Sequence, residues 1–154
     1  MPFYLITLHT PLPPAEAAEA LAAITQAPRR RGWFEGPATP TTANQFTGTV
    51  NADGFRIMRT ISYRNSFLPL IEGRLRATPH GSEVRLRMRL IYPVLAFIVV
   101  FAFTFVRMLE NVGHDLEGYV LIAPLFAVVL TLAGFIPEAL IAKRKIARAL
   151  QADD

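Results

Sequence analysis

Two long apolar segments without a charged residue most constrain how this 154-residue chain can fold. The first, Leu90–Val106, holds 12 Leu, Ile, Phe and Val residues, each of which favours bilayer insertion by roughly 0.3 to 0.6 kcal/mol near a helix centre. As a helix it would extend about 26 Å, slightly less than a hydrocarbon core. The second, Gly118–Ile136, is long enough to cross without tilt, and Pro137 marks its expected end. A chain this short has too little other mass to bury both helices, so a transmembrane hairpin is predicted over residues 90–136.

Charges around the two segments predict their orientation. The connecting loop, residues 107–117, carries one basic and three acidic residues. The opposite ends of the segments are basic, with three arginines before the first and two lysines and two arginines after the second. Basic residues favour the cytoplasmic side of a membrane. We therefore expect a multi-pass protein of the bacterial inner membrane, with both termini in the cytoplasm and the loop outside.

The region before the first apolar segment alternates apolar and polar residues in four stretches. Turn signals separate them at Ala52–Gly54 and Pro79–Gly81. Side chains alternate between the two faces of a strand, so the pattern predicts an antiparallel meander with one apolar face. Phe3–His9 is a candidate additional strand. The residues predicted to share the apolar face are Phe46, Gly48, Val50, Phe55, Ile57, Ile61, Tyr63, Ile71, Gly73, Leu75, Ala77, Val84, Leu86, Met88 and Leu90.

An apolar sheet face needs a cover, and two helical segments can provide it. One follows Pro13 and is rich in alanine; the other begins near Pro137 and presents Ala139, Ala142, Ile146 and Leu150. The predicted fold class is α+β, with a four- to five-stranded antiparallel sheet packed by helices and an inserted two-helix transmembrane hairpin. Its parts are a cytoplasmic domain over residues 1–89, the hairpin over 90–136, and a basic cytoplasmic helix over 137–154 that completes the first domain.

The polar face of the predicted meander is rich in arginine. Such a face can remain solvated, or it can bind anionic lipid or an acidic partner protein. Binding to nucleic acid is not expected, because no recognised motif or set of stacking aromatic residues accompanies the charges. The candidate residues for lipid or partner binding are Arg56, Arg74, Arg76, Arg85, Arg87 and Arg89.

Arg59 does not fit the alternation, because it falls on the apolar face between Ile57 and Ile61. Either a bulge or an edge position frees it, or it is buried and paired with a carboxylate that the sequence does not identify. The stretch that follows, SYRNSFLPLIEGR, has the chemistry of a structural corner, yet it could also line a pocket. The candidate residues for that corner or pocket are Arg59, Tyr63, Arg64, Asn65 and Phe67.

Residue types that bind metals or cofactors are sparse. The chain has no cysteine, and its three histidines are far apart. It has no glycine-rich phosphate loop, nucleophile elbow or HExxH sequence. We therefore predict no metal, no cofactor and no catalytic residue.

The run from Phe55 to Leu75, continued by GSEVRLRMRLIYPVLAFIVV, resembles a family of uncharacterised small integral membrane proteins of bacteria. The similarity lies in an Asn-Ser-Phe-x-Pro sequence followed by a glycine, then a strand entering a membrane hairpin, then a basic helix. It covers roughly 100 residues and implies an architecture but no activity. The matching positions are Tyr63, Arg64, Asn65, Ser66, Phe67, Pro69 and Gly73.

These patterns favour a non-catalytic role. The protein would be an accessory or scaffold element that docks partner proteins or anionic lipid at the cytoplasmic surface, with membrane lipids, a membrane protein or a second copy as partners. The alternative is an enzyme or ligand-binding domain with a pocket between sheet and helices near Arg59, Tyr63 and Asn65. A cavity lined by those three residues favours the alternative, whereas a filled core beneath an exposed arginine face favours docking.

Overall fold

The computed structural model describes residues 4–28, 40–41, 43–63, 65–111 and 119–152. These residues form an α+β fold with a six-stranded sheet and three helices. The strands are β1 (Tyr4–Thr10), β2 (Thr25–Gln26), β3 (Phe46–Asn51), β4 (Gly54–Arg59), β5 (Leu70–Thr78) and β6 (Gly81–Arg89). The helices are α1 (Pro14–Ala23), α2 (Tyr92–Asn111) and α3 (Tyr119–Ala149).

The sheet has the order β1-β6-β5-β4-β3-β2. Strands β3 to β6 form the predicted antiparallel meander, and β1 adds to its β6 edge as expected. The sheet differs from the prediction in being mixed, because β2 pairs in parallel with β3. Strand β2 has two residues, which is too short to produce an alternating pattern.

The inner face of the sheet is the core. Most of the residues predicted to share it are buried, Gly48 and Val50 are half-buried, and Tyr63 and Ala77 are exposed. Glycine is needed at position 73 of this face, because a Cβ atom there would lie 2.2 Å from Cζ of Phe55. The two residues are Cα partners on neighbouring strands, so Gly73 makes room for the ring. The predicted inner face is therefore confirmed except at Tyr63, which lies beyond the end of β4, and Ala77. Its fit depends on side-chain size as well as on polarity.

Helices α1 and α3 cover the inner face. Ala17 and Leu21 of α1 are fully buried, and so are Ala142, Ile146 and Leu150 at the end of the chain. Burial of these side chains stabilises the fold by roughly 25 cal/mol per Å² of apolar surface. The cover predicted from the sequence is thus the one observed.

The predicted boundary at Pro137 is wrong, because α3 runs through it as one helix of 31 residues. Proline inside a helix removes one backbone hydrogen bond and costs about 3 kcal/mol. Phe135 and Ala139, on either side of it, are buried against the sheet, and this packing offsets the cost. The candidate second span and the basic C-terminal helix are therefore one continuous element.

Helix α3 runs along the strands. Near its end, the Leu150 carbonyl accepts a hydrogen bond from the Thr10 hydroxyl at the end of β1. About twelve residues earlier, Ile136 and Leu140 line a cavity with Tyr4 at the start of β1, and Glu138 bonds Arg59 at the same end of the sheet. The helix rises about 18 Å over this distance, close to the length of about 20 Å of β1. Because β6 ends at Arg89 and enters α2 after two residues, the Arg59 and Arg89 end of the sheet lies toward the apolar half of α3.

The described residues include one helical segment, Leu125–Ala149, that is long and apolar enough to cross a membrane. Length and composition alone support this, and core helices of soluble proteins share both properties. The apolar segment Ala96–Phe105 of α2 is shorter. This finding therefore supports one candidate span, and it does not by itself support the predicted two-helix hairpin. Of the predicted outer loop, residues 107–111 are helical, and residues 112–117 lie outside the described part.

Two leucines on opposite faces of the sheet test this packing. Leu86 is 1% exposed and Leu5 is 68% exposed. We expect Leu86→Ala to lower the free energy of unfolding by about 3 kcal/mol, because it leaves a cavity in the core. That loss corresponds to a fall in Tm of about 10 °C, measured by thermal unfolding in detergent micelles. Leu5→Ala is the matched control and should stay within about 0.5 kcal/mol; equal losses for both would contradict the assignment of faces.

Candidate functional site

Six arginines lie on the outer face of the sheet. The register places Arg56, Glu72 and Arg87 in one row across β4, β5 and β6. Arg74 and Arg85 are direct partners in the next row. Arg89 lies nearest the helices, and Arg76 lies beside Glu83 at the far end. The structure thus brings together all the arginines predicted for lipid or partner binding, and we call this surface the arginine face.

The two glutamates of the arginine face neutralise only part of its charge. Glu72 lies between Arg56, at 3.6 Å, and Arg89, at 3.1 Å. Glu83 accepts a hydrogen bond from Arg85, which holds the pKa of Glu83 below its usual value. Both glutamates are therefore already committed to arginines.

Arg74, Arg76 and Arg87 are left without an ion pair within 4.0 Å in the described part of the chain. Like charges placed directly opposite each other on neighbouring strands destabilise a sheet, and Arg74 opposes Arg85. A shallow concavity of about 680 Å³ passes over this part of the face, from Arg56 to Leu5 on β1. It is an exposed cationic surface with the chemistry to bind carboxylates or phosphates.

A buried ion pair lies on the other side of the sheet. Arg59 Nε donates to Glu138 Oε2 at 2.7 Å, and the two side chains are 10% and 5% exposed. The pairing of β3 with β4 runs without interruption from Asn51 to Phe46 opposite Arg59. Of the two sequence interpretations, the bulge or edge position is therefore wrong, and Arg59 is buried and paired.

Tyr63 and Asn65 complete the surroundings of Glu138. The Tyr63 hydroxyl donates to Glu138 Oε1 and accepts a hydrogen bond from Arg59 at 2.7 Å. The pKa of Tyr63 is raised above its ordinary value, mainly by the hydrogen bond to Glu138 and secondly by burial. Asn65 Nδ2 lies 3.5 Å from the same carboxylate oxygen. A buried carboxylate is stable only when its lone pairs are satisfied, and these three residues satisfy those of Glu138.

The corner after β4 packs against α3. The side chain of Asn65 accepts a hydrogen bond from the backbone N–H of Phe67 at 2.9 Å, and it donates to the Gly134 carbonyl at 3.3 Å. A Cβ atom on Gly134 would lie 2.6 Å from the Phe67 ring, so only glycine lets the ring approach. Arg64 lies outside the described residues. The corner therefore joins the sheet to the helix, as well as connecting two strands.

These contacts bear on the predicted pocket. The polar atoms of Arg59, Tyr63 and Asn65 converge on Glu138 and occupy the space between them. An apolar cleft of about 540 Å³ lies beside them, between the corner and helices α2 and α3. The sequence did not predict this cleft. Its larger lining side chains are Phe67, Phe97, Ile98, Phe101, Phe126 and Leu130.

Sequence reasoning also missed Glu138 as the partner of Arg59, since the two lie 79 positions apart. A signal was nevertheless present. Glu138 is four residues from Gly134 and four from Ala142, so it shares a helix face with residues that approach the sheet. A carboxylate on such a face requires a buried partner.

Metal ligands do not cluster in the described part of the chain: no three His, Asp or Glu residues come close enough to hold an ion. Comparison with known proteins matched the chain to no family model, no curated protein and no solved structure. The resemblance to small bacterial membrane proteins, based on the Tyr63–Pro69 corner, therefore stays a prediction.

The ion pair can be tested by a double-mutant cycle. We expect Arg59→Met and Glu138→Leu each to lower the free energy of unfolding by about 3 to 5 kcal/mol, because each leaves an unpaired buried charge. The double variant should recover most of that loss, since both charges are gone. Thermal unfolding of all four proteins supplies the measurement. Additive losses in the double variant would show that the two residues are not coupled.

Proposed function

We propose that this protein is an inner-membrane scaffold whose α2 and α3 form a transmembrane hairpin. The exposed surface of the two helices supports a lipid environment. A surface this apolar would be unfavourable in water, where exposed patches rarely exceed a few hundred Å². Side chains at least half exposed include Phe97, Val99, Val100, Phe101 and Phe103 on α2, and Leu125, Phe126, Val128, Val129 and Leu130 on α3.

Residues at the ends of the helices fit a membrane boundary. The guanidinium of Arg89 lies 4.8 Å from the centre of the Tyr92 ring, at the start of α2. Arginine and tyrosine are both favoured in the headgroup layer. The basic residues of α3 follow Glu138, which places them on the same side as the sheet. The sheet and the end of α3 are therefore proposed to be cytoplasmic, with the loop between the helices outside.

Cysteine labelling tests this topology. In intact cells, an impermeant thiol reagent should react with a cysteine at position 114 and should not react with one at position 52 or 153. The chain has no native cysteine, so each variant carries one labelling site. Labelling of permeabilised cells is the control for reactivity. Protection of position 114 together with labelling of position 52 would contradict the proposed orientation.

In this topology, the strands that carry the arginine face extend away from the membrane surface. The strands follow α3, so Arg85 lies about 13 Å farther from the bilayer than Arg89. Attraction by anionic lipid falls off within a Debye length, which is about 8 Å in the cell. Lipid headgroups therefore attract Arg89 far more than they attract Arg74 or Arg85. We infer that the arginine face docks an acidic surface of a partner protein.

The observation that carries this function is the incomplete neutralisation of the arginine face. Glu72 and Glu83 are already paired, while Arg74 and Arg87 project from exposed positions. An acidic partner would supply the missing carboxylates and steer its own approach by charge. The enzymatic alternative receives less support, because the residues expected to line its pocket bond Glu138 instead.

Photo-cross-linking in intact cells tests the docking function. A cross-linking amino acid replaces Thr49, which is exposed beside Arg56 on the arginine face. We expect a discrete protein adduct that is lost in the Arg74→Gln/Arg87→Gln variant, because the carboxylates of the partner lose their ion pairs. Arg144→Gln/Arg148→Gln is the matched control, since it removes the same charge from exposed positions on α3. Adducts with lipid only, or protein adducts that persist in the first variant, would overturn the proposal.

A further inference from the structure

The two edges of the sheet differ in length. One edge is β2, with two residues. The other is β1, with seven residues, and β1 pairs with β6 on one side only. In the described part of the chain, no strand pairs with its other side. Strand β1 therefore presents the longer row of free backbone donors and acceptors.

Strand β1 lacks the usual features that prevent edge pairing. Proteins protect such strands with charged residues, proline, bulges or short length. The sequence YLITLHT has no Asp, Glu, Lys, Arg or Pro, and its seven pairs with β6 run without a bulge. Leu5 is 68% exposed on its outer side. This edge has the properties of strands that accept an extended segment by backbone pairing.

We propose that β1 accepts an extended acidic segment of the partner protein as a seventh strand of the sheet. This inference rests on the proposed docking function and specifies how the partner binds. Leu5 and Thr7 of β1 are the direct partners of Arg87 and Arg85 on β6. An added strand would lie about 4.8 Å beyond β1 and about 10 Å from β6. Acidic side chains on its outer side would then meet the long side chain of Arg87, which has no ion pair within 4.0 Å in the described part of the chain, and that of Arg85, whose ion pair is with Glu83.

The inner side of the same edge accepts apolar side chains. A cavity of about 210 Å³ lies between Tyr4 of β1 and the α3 residues Leu132, Phe135 and Ile136. An added strand would direct every second side chain to the inner side of the sheet, and the one beside Tyr4 would point toward this cavity. The segment that fits this edge therefore alternates acidic residues on its outer side with apolar residues on its inner side.

A second copy of this chain fits the edge less well. Antiparallel pairing of two β1 strands reverses one copy relative to the other, so the two hairpins could not share a bilayer in one orientation. Parallel pairing keeps the orientation but brings no carboxylate to Arg85 and Arg87, because Tyr4–Thr10 contains none. The charge of the neighbouring arginines thus selects an acidic partner.

The test uses the full chain in lipid nanodiscs and a set of fluorescent heptapeptides. The first peptide alternates Glu and Val, and a second replaces each Glu with Lys. Two further acidic peptides carry N-methyl groups on alternate amides, one on each edge of the strand. We expect the Glu peptide to bind at least about tenfold more tightly than the Lys peptide. Only one of the two methylated peptides should lose binding, because one edge faces β1.

Variants then locate the binding. Arg85→Gln/Arg87→Gln should weaken the Glu peptide by about three- to tenfold, as expected for two solvent-exposed ion pairs. The matched control, Arg144→Gln/Arg148→Gln, should leave affinity unchanged. These substitutions lie at exposed positions, so the fold is retained in both variants.

The outcomes separate this inference from the docking function. Equal binding of both methylated peptides would show that the acidic segment sits on the arginine face without pairing with β1, which overturns the seventh strand and leaves docking intact. Absence of peptide binding together with a Thr49 adduct in cells would have the same meaning. A disulfide between two copies carrying Thr7→Cys would identify a second copy as the occupant and also overturn it. Loss of both the peptide binding and the adduct would overturn both proposals.

Discussion

The ion pair of Arg59 and Glu138 is the interaction on which the arrangement of sheet and helix depends. It joins the end of β4 to the middle of α3, and both partners are almost completely buried. Removing two charges from water costs several kcal/mol for each ion, and mutual attraction offsets this only when further hydrogen bonds are made. Tyr63 and Asn65 provide those bonds. The corner after β4 is therefore ordered by the same carboxylate that anchors the helix.

The continuity of α3 carries this anchoring into the apolar part of the molecule. One half of the helix covers the sheet, and the other exposes apolar side chains. Because the helix follows the strands, it sets the direction in which the arginine face points. The direction of α3 therefore fixes the position of the arginine face relative to the apolar half of the helix.

Much of this fold could be predicted from the sequence because a strand has a side-chain period of two. Alternation placed residues such as Ile57 and Leu86 in the core and the six arginines on the opposite face. Two errors have physical causes. Strand β2 is too short to show a period, and Pro137 stays helical because burial of the flanking residues outweighs the cost of the proline.

The candidate site was predictable only in part, because its contacts join distant segments. The arginine face could be predicted, because it depends only on the alternation of residues within each strand. Arg59 was recognised as anomalous, but its partner lies on another element, where a one-dimensional pattern carries no distance information. The free edge of β1 depends on the order of strands in the sheet, which a list of strands does not supply.

The contact of Phe67 with Gly134 has a mechanical consequence. The ring packs against α3 at Gly134, where any larger residue would collide with it. Asn65 donates a hydrogen bond to the carbonyl of the same glycine. A slide of the helix by one residue, about 1.5 Å, or a turn of about 100° would drive a neighbouring side chain into the ring. Sheet and helix therefore move together, and a tilt of α3 tilts the sheet by the same angle.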